Sequence, residues 1–506
     1  MGQTLAAEMR SSKWKKKSEV DLSKQGLQEL PGAVASLKAC TRLDLSKNDL
    51  TSLPEEIGKM PELKILQLTD NKLTDLPAEI GDIATLSELY VPGNSLFRHP
   101  LTPRLGQLKQ LTILHLMANQ LEELPEELGN CVSLTELDVS DNVLKQLPRA
   151  LGNLAALKTL IGVKNRLQAL PTTINGNKSL QKLILSNNLI VKLPVEVGAC
   201  LSINTLHLNA NNLKELPETF TKLVALTELN LCDNPVLSEL PDLSIFLSLE
   251  SLGLANLKVV EYPGIGALTN LTTLEIRDNP LMGRLPAEVG SLARVRRLDA
   301  YGSKLKTIPP TIGGMKALEV LDLRNNELTS NLLPTELAML GTLRKLLLSS
   351  NRFTEMPSDL KGLSSLHVLD LSNNLLTSLP EEVGQLTSLQ KLNVSGNQLM
   401  RIPKGIGLLV NLENLDCKSN QIAALPDEIG KLTKLTKLDL SHNMLQELPW
   451  DMGDLLGTLV AMNLDHNSFI VPPKDIVTKD TPIVLKWIKD NAEKGRKGRI
   501  SGLGMK

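Results

Sequence analysis

Apolar and polar positions along this chain follow one grammar that returns at a fixed spacing. In Leu43-Asp44-Leu45-Ser46-Lys47-Asn48-Asp49-Leu50-Thr51-Ser52-Leu53-Pro54-Glu55-Glu56-Ile57-Gly58, leucines alternate with polar residues, an asparagine follows, and a Leu-Pro pair leads to a glycine. The frame recurs at Leu66–Gly81, Leu114–Gly129, Leu137–Gly152, Leu369–Gly384, Leu415–Gly430 and Leu438–Gly453. Anchored on asparagine, the series runs Asn48, Asn71, Asn94, Asn119, Asn142, Asn165, Asn188, Asn211, Asn234, Asn279, Asn326, Asn351, Asn374, Asn397, Asn420, Asn443 and Asn467, mostly 23 residues apart. Gln25, Leu257 and Ser303 stand in the slots that lack it, which makes about twenty repeats.

Alternation with a period of two predicts a short strand with Leu43 and Leu45 on its core side. The asparagine falls where the chain leaves the strand, and its amide can satisfy backbone groups otherwise buried unpaired. Pro54 is expected at the first position of a helical turn, where its missing N–H costs nothing. Glu55 and Glu56 suit the positive end of that turn, and Gly58 is expected to end it. One repeat cannot bury its own leucines, so repeats must stack, with a parallel sheet on the inner face. A long-helix bundle is excluded, because a proline in each period would break every helix.

These repeats resemble the leucine-rich-repeat superfamily over residues 19 to about 480. Leu53-Pro54-Glu55-Glu56-Ile57-Gly58, Leu76-Pro77-Ala78-Glu79-Ile80-Gly81, Leu379-Pro380-Glu381-Glu382-Val383-Gly384 and Leu425-Pro426-Asp427-Glu428-Ile429-Gly430 look like its Ras-group-related intracellular branch. The resemblance implies an α/β leucine-rich-repeat solenoid, a horseshoe with a concave parallel sheet and short helical or 3-10 turns on the convex side. It also implies a cytosolic signalling adaptor; several members of that branch bind Ras-type GTPases or phosphatase subunits. The motif residues are structural, so the partner is read by the variable positions between them.

Composition adds exclusions. Lys plus Arg number 55 and Asp plus Glu 56, so no global field draws the chain to nucleic acid. Cys40, Cys131, Cys200, Cys232 and Cys417 are scattered, and no apolar signal-peptide core or membrane-length run occurs, which predicts a reducing, cytoplasmic setting. No phosphate loop, nucleophile elbow, CxxC or HExxH is present, and no cofactor is expected. His442 and His466, near Asp465, offer only a weak metal pair, so a metal-dependent hydrolase is the remote alternative. Met1-Gly2-Gln3-Thr4-Leu5-Ala6 approaches the pattern for myristoylation at Gly2, with Lys13-Trp14-Lys15-Lys16-Lys17 as a basic second signal for peripheral membrane contact. Ala6 stands where Ser or Thr is preferred.

The expected layout is a basic N-terminal cap over 1–18, a continuous solenoid over 19–480, a capping helix over 481–493 and a disordered basic tail over 494–506. Within the first, residues 3–12 suit a helix with Leu5 and Met9 on one side. The capping helix would turn Ile483, Val484, Trp487 and Ile488 inward. Two repeats are lengthened, around Phe97–Pro103 and Thr329–Pro334, and 234–303 is degenerate. The outward strand slots carry an apolar row, Tyr90, Ile113, His115, Met117, Ile161, Val163 and Ile184, and a cluster of Arg277, Arg297, Asp299, Tyr301 and Arg324. Apolar, tyrosine and arginine side chains in slots that tolerate any soluble residue predict partner binding. Lys345, Lys391 and Lys437 beside Asp370, Asp416 and Asp439 predict a self-neutralised, solvated face.

Overall fold

The computed structural model describes residues 2–11, 15–97, 101–330, 333–356 and 361–501, and the side chains of all these except 2–4 and 495–501. Lys13 and Trp14 of the basic segment, Arg98–Pro100 and Asn331–Leu332 of the lengthened repeats, and 502–506 of the tail lie outside the described residues. The chain divides into two compact units, Met1–Lys258 and Val259–Lys506.

Among the described residues the first unit contains the helix α1 (Gly2–Arg10) and eleven strands, from β1 (Glu19–Asp21) to β11 (Ser251–Gly253). Among its described residues the second contains nine, from β12 (Thr273–Glu275) to β20 (Ala461–Asn463), then α2 (Lys474–Val477) and α3 (Thr481–Ser501). Within each unit strands run parallel, each beside the next in sequence, and the central leucines stay in register: Leu43 with Leu66 in the first, Leu415 with Leu438 in the second. Each strand is three residues long, and in all but the last, where Met462 is half-buried, the central side chain lies in the core with the flanking two outward. The core is almost entirely aliphatic: Leu43, Leu45, Leu50 and Ile57 are fully buried, and most of their counterparts along each unit are buried too. Regular leucine stacking fills the space that aromatics fill elsewhere.

Opposite the strands, each typical repeat makes a five-residue 3-10 turn, such as Glu55–Lys59. Two sequence expectations are corrected here. Pro54 does not open the turn but caps it, with ψ of 147° in extended backbone. A tight 3-10 turn begins one residue later, and proline fits equally well outside it because its ring fixes only φ. Gly58 lies inside the turn and does not end it. A Cβ there would stand 2.4 Å from the Glu79 carbonyl of the next repeat, so the glycine permits close stacking of neighbouring turns.

The asparagines form the expected ladder. Asn48 Oδ1 accepts from Leu27 N at 3.0 Å, and its Nδ2 donates to Leu22 O and Leu45 O at 2.8 and 2.9 Å. Each amide thus bonds both its own repeat and the preceding one. Ser303 performs part of this job: its Oγ accepts from Asn279 N at 3.1 Å and donates to Ile276 O at 3.1 Å. The residue before the ladder position is left-handed, as at Lys47, Asp70 and Asn187 with φ of 57°, 55° and 58°. That turn aims the amide inward.

Both ends of the leucine stack are covered. Leu5 and Met9 of α1 are buried, and Ser36 Oγ donates to Met9 O at 2.7 Å. At the other end α3 packs on the turn Trp450–Leu455, with the Trp450 and Trp487 rings stacked at 6.1 Å. Its inward residues are Val484, Leu485 and Ile488; Ile483, expected inward, is 48 % exposed. The docked stripe starts from Thr481, whose Oγ1 accepts from Met462 N at 2.8 Å and so satisfies an edge-strand donor. Residues 484, 485 and 488 follow 481 on one helical face, and 483 does not. The helix continues past residue 493 to Ser501.

Candidate binding face

Every strand turns its first and third residues, and the residue two further on, to the open face of the sheet. In the first unit this sets Tyr90, His115, Asp138, Ile161, Ile184 and His207 in one row across neighbouring strands. Ile113 lies in the row before it, between Glu88 and Glu136. Met117 and Val163 lie in the row after it. Tyr90, Ile113, His115, Met117, Ile161, Val163 and Ile184 are all half-buried. The sequence placed them on the right face but overstated their exposure.

The structure adds a network that sequence spacing does not reveal. Tyr90 Oη donates to Glu88 Oε2 at 2.9 Å, and its ring meets His115 edge-on at 5.0 Å. His115 Nε2 lies 2.7 Å from Glu136 Oε1 on the next strand. Burial, with the Glu88 carboxylate, pushes the Tyr90 hydroxyl up to about 12. These four residues therefore brace one another across three strands.

In the second unit Tyr301 lies between two guanidiniums, Arg277 at 5.6 Å and Arg324 at 5.7 Å from its ring centre. Each arginine is held by carboxylates of its own strand or turn. Arg277 Nε donates to Glu275 at 2.6 Å, and its Nη1 to Asp278 at 2.9 Å. Arg324 grips the fully buried Asp322 through Nε and Nη2 at 2.8 and 2.5 Å. Arg297 reaches Asp299 at 3.3 Å and is half exposed. Burial raises the Asp299 carboxyl, and Asp322 beside it adds to that rise. The cluster is thus a set of arginine–carboxylate pairs around one cation–π sandwich.

The third expected feature is a solvated face whose opposite charges stand in neighbouring rows without close contact. Lys345, Lys391 and Lys437 are exposed, and among the described residues none is within 4.0 Å of a carboxylate. Lysines on the outer row reach into water, while the aspartates bend back to their own strands.

His442 and His466 stack at 4.1 Å, nearly parallel, on exposed turns. Among the described residues no group of three His, Cys, Asp or Glu side chains is placed to hold a metal ion. All five cysteines are buried and none is in a disulfide. Burial pushes the thiols of Cys40, Cys131 and Cys200 up to about 11 and that of Cys417 higher. The folded protein should therefore resist iodoacetamide near neutral pH and take up five labels once unfolded, as counted by intact mass. Rapid labelling of the folded chain would contradict this packing.

A stack of short parallel strands and 3-10 turns, pinned by an asparagine ladder, defines a repeat scaffold for protein–protein interaction. The chain belongs to the leucine-rich-repeat superfamily: leucine-rich-repeat family models match residues 303–421, then 18–96, 178–236 and 410–469, and 133–154. A 35-residue stretch is 49% identical to the leucine-rich repeat protein lrrA of Dictyostelium discoideum, covering 7% of this chain and 7% of that protein. An 82-residue stretch is 33% identical to a uridine 5'-monophosphate transferase of Xanthomonas campestris pv. campestris (strain 8004), covering 16% of this chain and 15% of that one. The chain thus spans only a small part of the curated relatives it matches. Similar solved structures include YopM from Yersinia enterocolitica WA-314, at 27% identity and TM-score 0.65 over 92% of this chain and 95% of that one. The plant peptide hormone receptor RGFR1, solved in complex with RGF2, is 26% identical with TM-score 0.59 over 92% and 89%. A TDR receptor is 25% identical with TM-score 0.66 over 95% and 94%. Among the described residues no helix is long and apolar enough to cross a membrane.

Proposed function

We propose that this chain is a cytoplasmic signalling adaptor that holds a protein partner on the open face of its sheets and catalyses no reaction. The observation that carries this reading is the pair of braced aromatic clusters on that face, around Tyr90 and around Tyr301. Half-buried tyrosines with arginine and methionine beside them, held in place before a partner arrives, lose little entropy on binding. The complex of the similar receptor RGFR1 with RGF2 supports a polypeptide ligand. The partner classes implied by the motif resemblance are a Ras-type GTPase or a phosphatase subunit.

Affinity capture with the full chain tests the reading. Tyr90→Ala with Met117→Ala, and Tyr301→Ala alone, should each reduce partner recovery about tenfold while circular dichroism stays unchanged. Arg297 and Arg324 are unsuitable for such a test, since their loss would strand the buried Asp299 and Asp322 carboxylates. Full recovery with both variants would remove these faces from the binding role.

A membrane-attached form of the same adaptor is a second reading. Gly2 opens α1, and Lys15, Lys16 and Lys17 are all exposed. Intact mass of the protein from its native cell should then show one myristoyl group, and an unmodified Gly2 rules this form out.

A further inference from the structure

Positive charge gathers on one rim of the second unit. Residues 293–345 hold nine cations and five carboxylates, a net charge of +4 in a chain whose total is −1. Six of the cations are Arg294, Arg296, Arg297, Lys316, Arg344 and Lys345. They fall in the short stretches that enter β13 (Arg297–Asp299), β14 (Val320–Asp322) and β15 (Lys345–Leu347), and all six are exposed. Register sets Arg297, Val320 and Lys345 side by side. Just ahead of them stand Arg296, Glu319 and Arg344, joined by Glu319 N donating to Arg296 O and Arg344 N to Glu319 O, both at 2.8 Å. Arg294 and Lys316 precede these rows in their repeats, and Arg294 Nη1 donates to Asn270 Oδ1 at 2.7 Å.

All five carboxylates of this stretch are engaged elsewhere or by a single partner. Asp322 takes Arg324, Asp299 takes Arg297 at 3.3 Å, and Glu319 takes Arg296 at 3.5 Å. Glu327 meets Arg352 at 3.6 Å, and Glu336 accepts from Thr335 Oγ1 at 3.3 Å. On the next strand, β16 (Val368–Asp370), Asp370 Oδ1 accepts from Ser372 N and Oγ at 3.0 and 2.7 Å. Among the described residues Arg294, Lys316, Arg344 and Lys345 form no ion pair. The rim therefore keeps an excess of positive charge after its own pairs are made. Between the cations lie Ala293, Ala317, Gly341 and the half-buried Val320. The three strand-entry stretches hold no aromatic ring to stack on a nucleic-acid base and no exposed large apolar side chain to enter a bilayer.

We propose that this rim binds an acidic segment of a partner protein, whose glutamate or aspartate carboxylates supply the counter-charge. Four of the six cations are arginines, and a guanidinium presents a planar fork that a carboxylate fits with two hydrogen bonds. Strands lie about 4.8 Å apart, so the cations of β13 and β15 are about 10 Å apart. Three residues of extended chain span about 10 Å, so a segment lying across the strands can set one carboxylate at each end. β13 carries Arg297 and leads directly to Tyr301, so one partner can use the rim and the tyrosine cluster together. The inference deepens the adaptor reading and rests on it for the partner being a protein, but its residues do not include the tyrosines.

The test uses the full chain and a fluorescent peptide, acetyl-Glu-Glu-Gly-Glu-Glu-Gly-Glu-Glu-amide, with glutamine and lysine versions, read by anisotropy at low and physiological salt. The glutamate peptide should bind saturably and more weakly as salt rises, and the other two not at all. Arg344→Gln with Lys345→Gln should weaken binding about fivefold, with circular dichroism unchanged because both side chains are exposed. Lys178→Gln with Lys182→Gln removes the same charge from exposed sites of the first unit and should change affinity less than about twofold. Phosphatidylserine vesicles and a single-stranded oligonucleotide, offered to the same protein, should not depend on Arg344 and Lys345. Absent binding, equal binding of the glutamine version, equal loss in the two double variants, or vesicle or oligonucleotide binding that Arg344→Gln with Lys345→Gln abolishes would each overturn the proposal. Loss of partner capture in the tyrosine variants, with no acidic-peptide binding here, would leave the adaptor reading standing and remove this one alone.

Discussion

Asn420→Ala should be among the most destabilising single changes outside the leucine core. Asn420 Oδ1 accepts from Leu399 N at 3.0 Å, and its Nδ2 donates to Val394 O, Cys417 O and Lys418 O at 3.0, 3.0 and 3.3 Å. The amide is 8 % exposed, so water cannot readily replace it. Alanine removes all four bonds and leaves the Leu399 N–H without a partner, while Val394 O, Cys417 O and Lys418 O each keep one donor, from Asn397, Asn443 and Gly396. The orphaned donor costs about 1–3 kcal/mol and each lost bond about 0.5–1.5 kcal/mol, which predicts a loss of about 3–5 kcal/mol, shared between two repeats. Urea unfolding followed by circular dichroism measures it. Gln421→Ala, at the exposed neighbour, should change the midpoint little. A loss at Asn420 no larger than at Gln421 would mean the ladder is dispensable.

Gly129→Ala should be comparably severe for a different reason. A Cβ at Gly129 would meet the Ala150 carbonyl oxygen at 2.2 Å and the Ala150 Cβ at 2.5 Å. Both belong to the next repeat's turn, so relief requires the turns to separate and the leucines beneath to lose contact. Overpacking of this kind costs about 1–3 kcal/mol, with more expected where backbone must move. Gly26→Ala is the contrast: nothing lies within 4 Å of its Cβ, and only its φ of +64° opposes the change. That left-handed conformation costs about 1–2 kcal/mol. Thermal unfolding of the two variants should therefore place Gly129→Ala clearly below Gly26→Ala. The reverse order would assign the repeat glycines to chain reversal and not to stacking.

Much of the scaffold was legible because it repeats. A leucine two residues from another, an asparagine at a fixed offset and a proline before a turn each carry a local signal, and recurrence removes ambiguity. Ser303 in the ladder and the inward Val484 and Ile488 could be read the same way. The roles of Pro54 and Gly58 could not. A 3-10 turn starting one residue later, and a neighbouring carbonyl 2.4 Å from a virtual Cβ, are facts about stacking distance. Ile483 departs from the expected inward face because the docked stripe of a terminal helix is set by the surface it packs on, here from Thr481 onward.

The candidate faces divide similarly. The sequence by itself determined which side chains leave the core, since the leucine alternation settles the facing of Tyr90, Met117, Arg297 and Tyr301. Only the tertiary structure decided which of them touch. Cross-strand neighbours are separated by a whole repeat in sequence, and their side-chain torsions answer to local charge and packing. That is why Tyr90 braces against His115, why Arg324 closes on Asp322, and why Lys391 and Lys437 leave the aspartate stripe unpaired. A periodic sequence specifies the lattice; the pairing on its surface is chosen by the side chains that the lattice brings together.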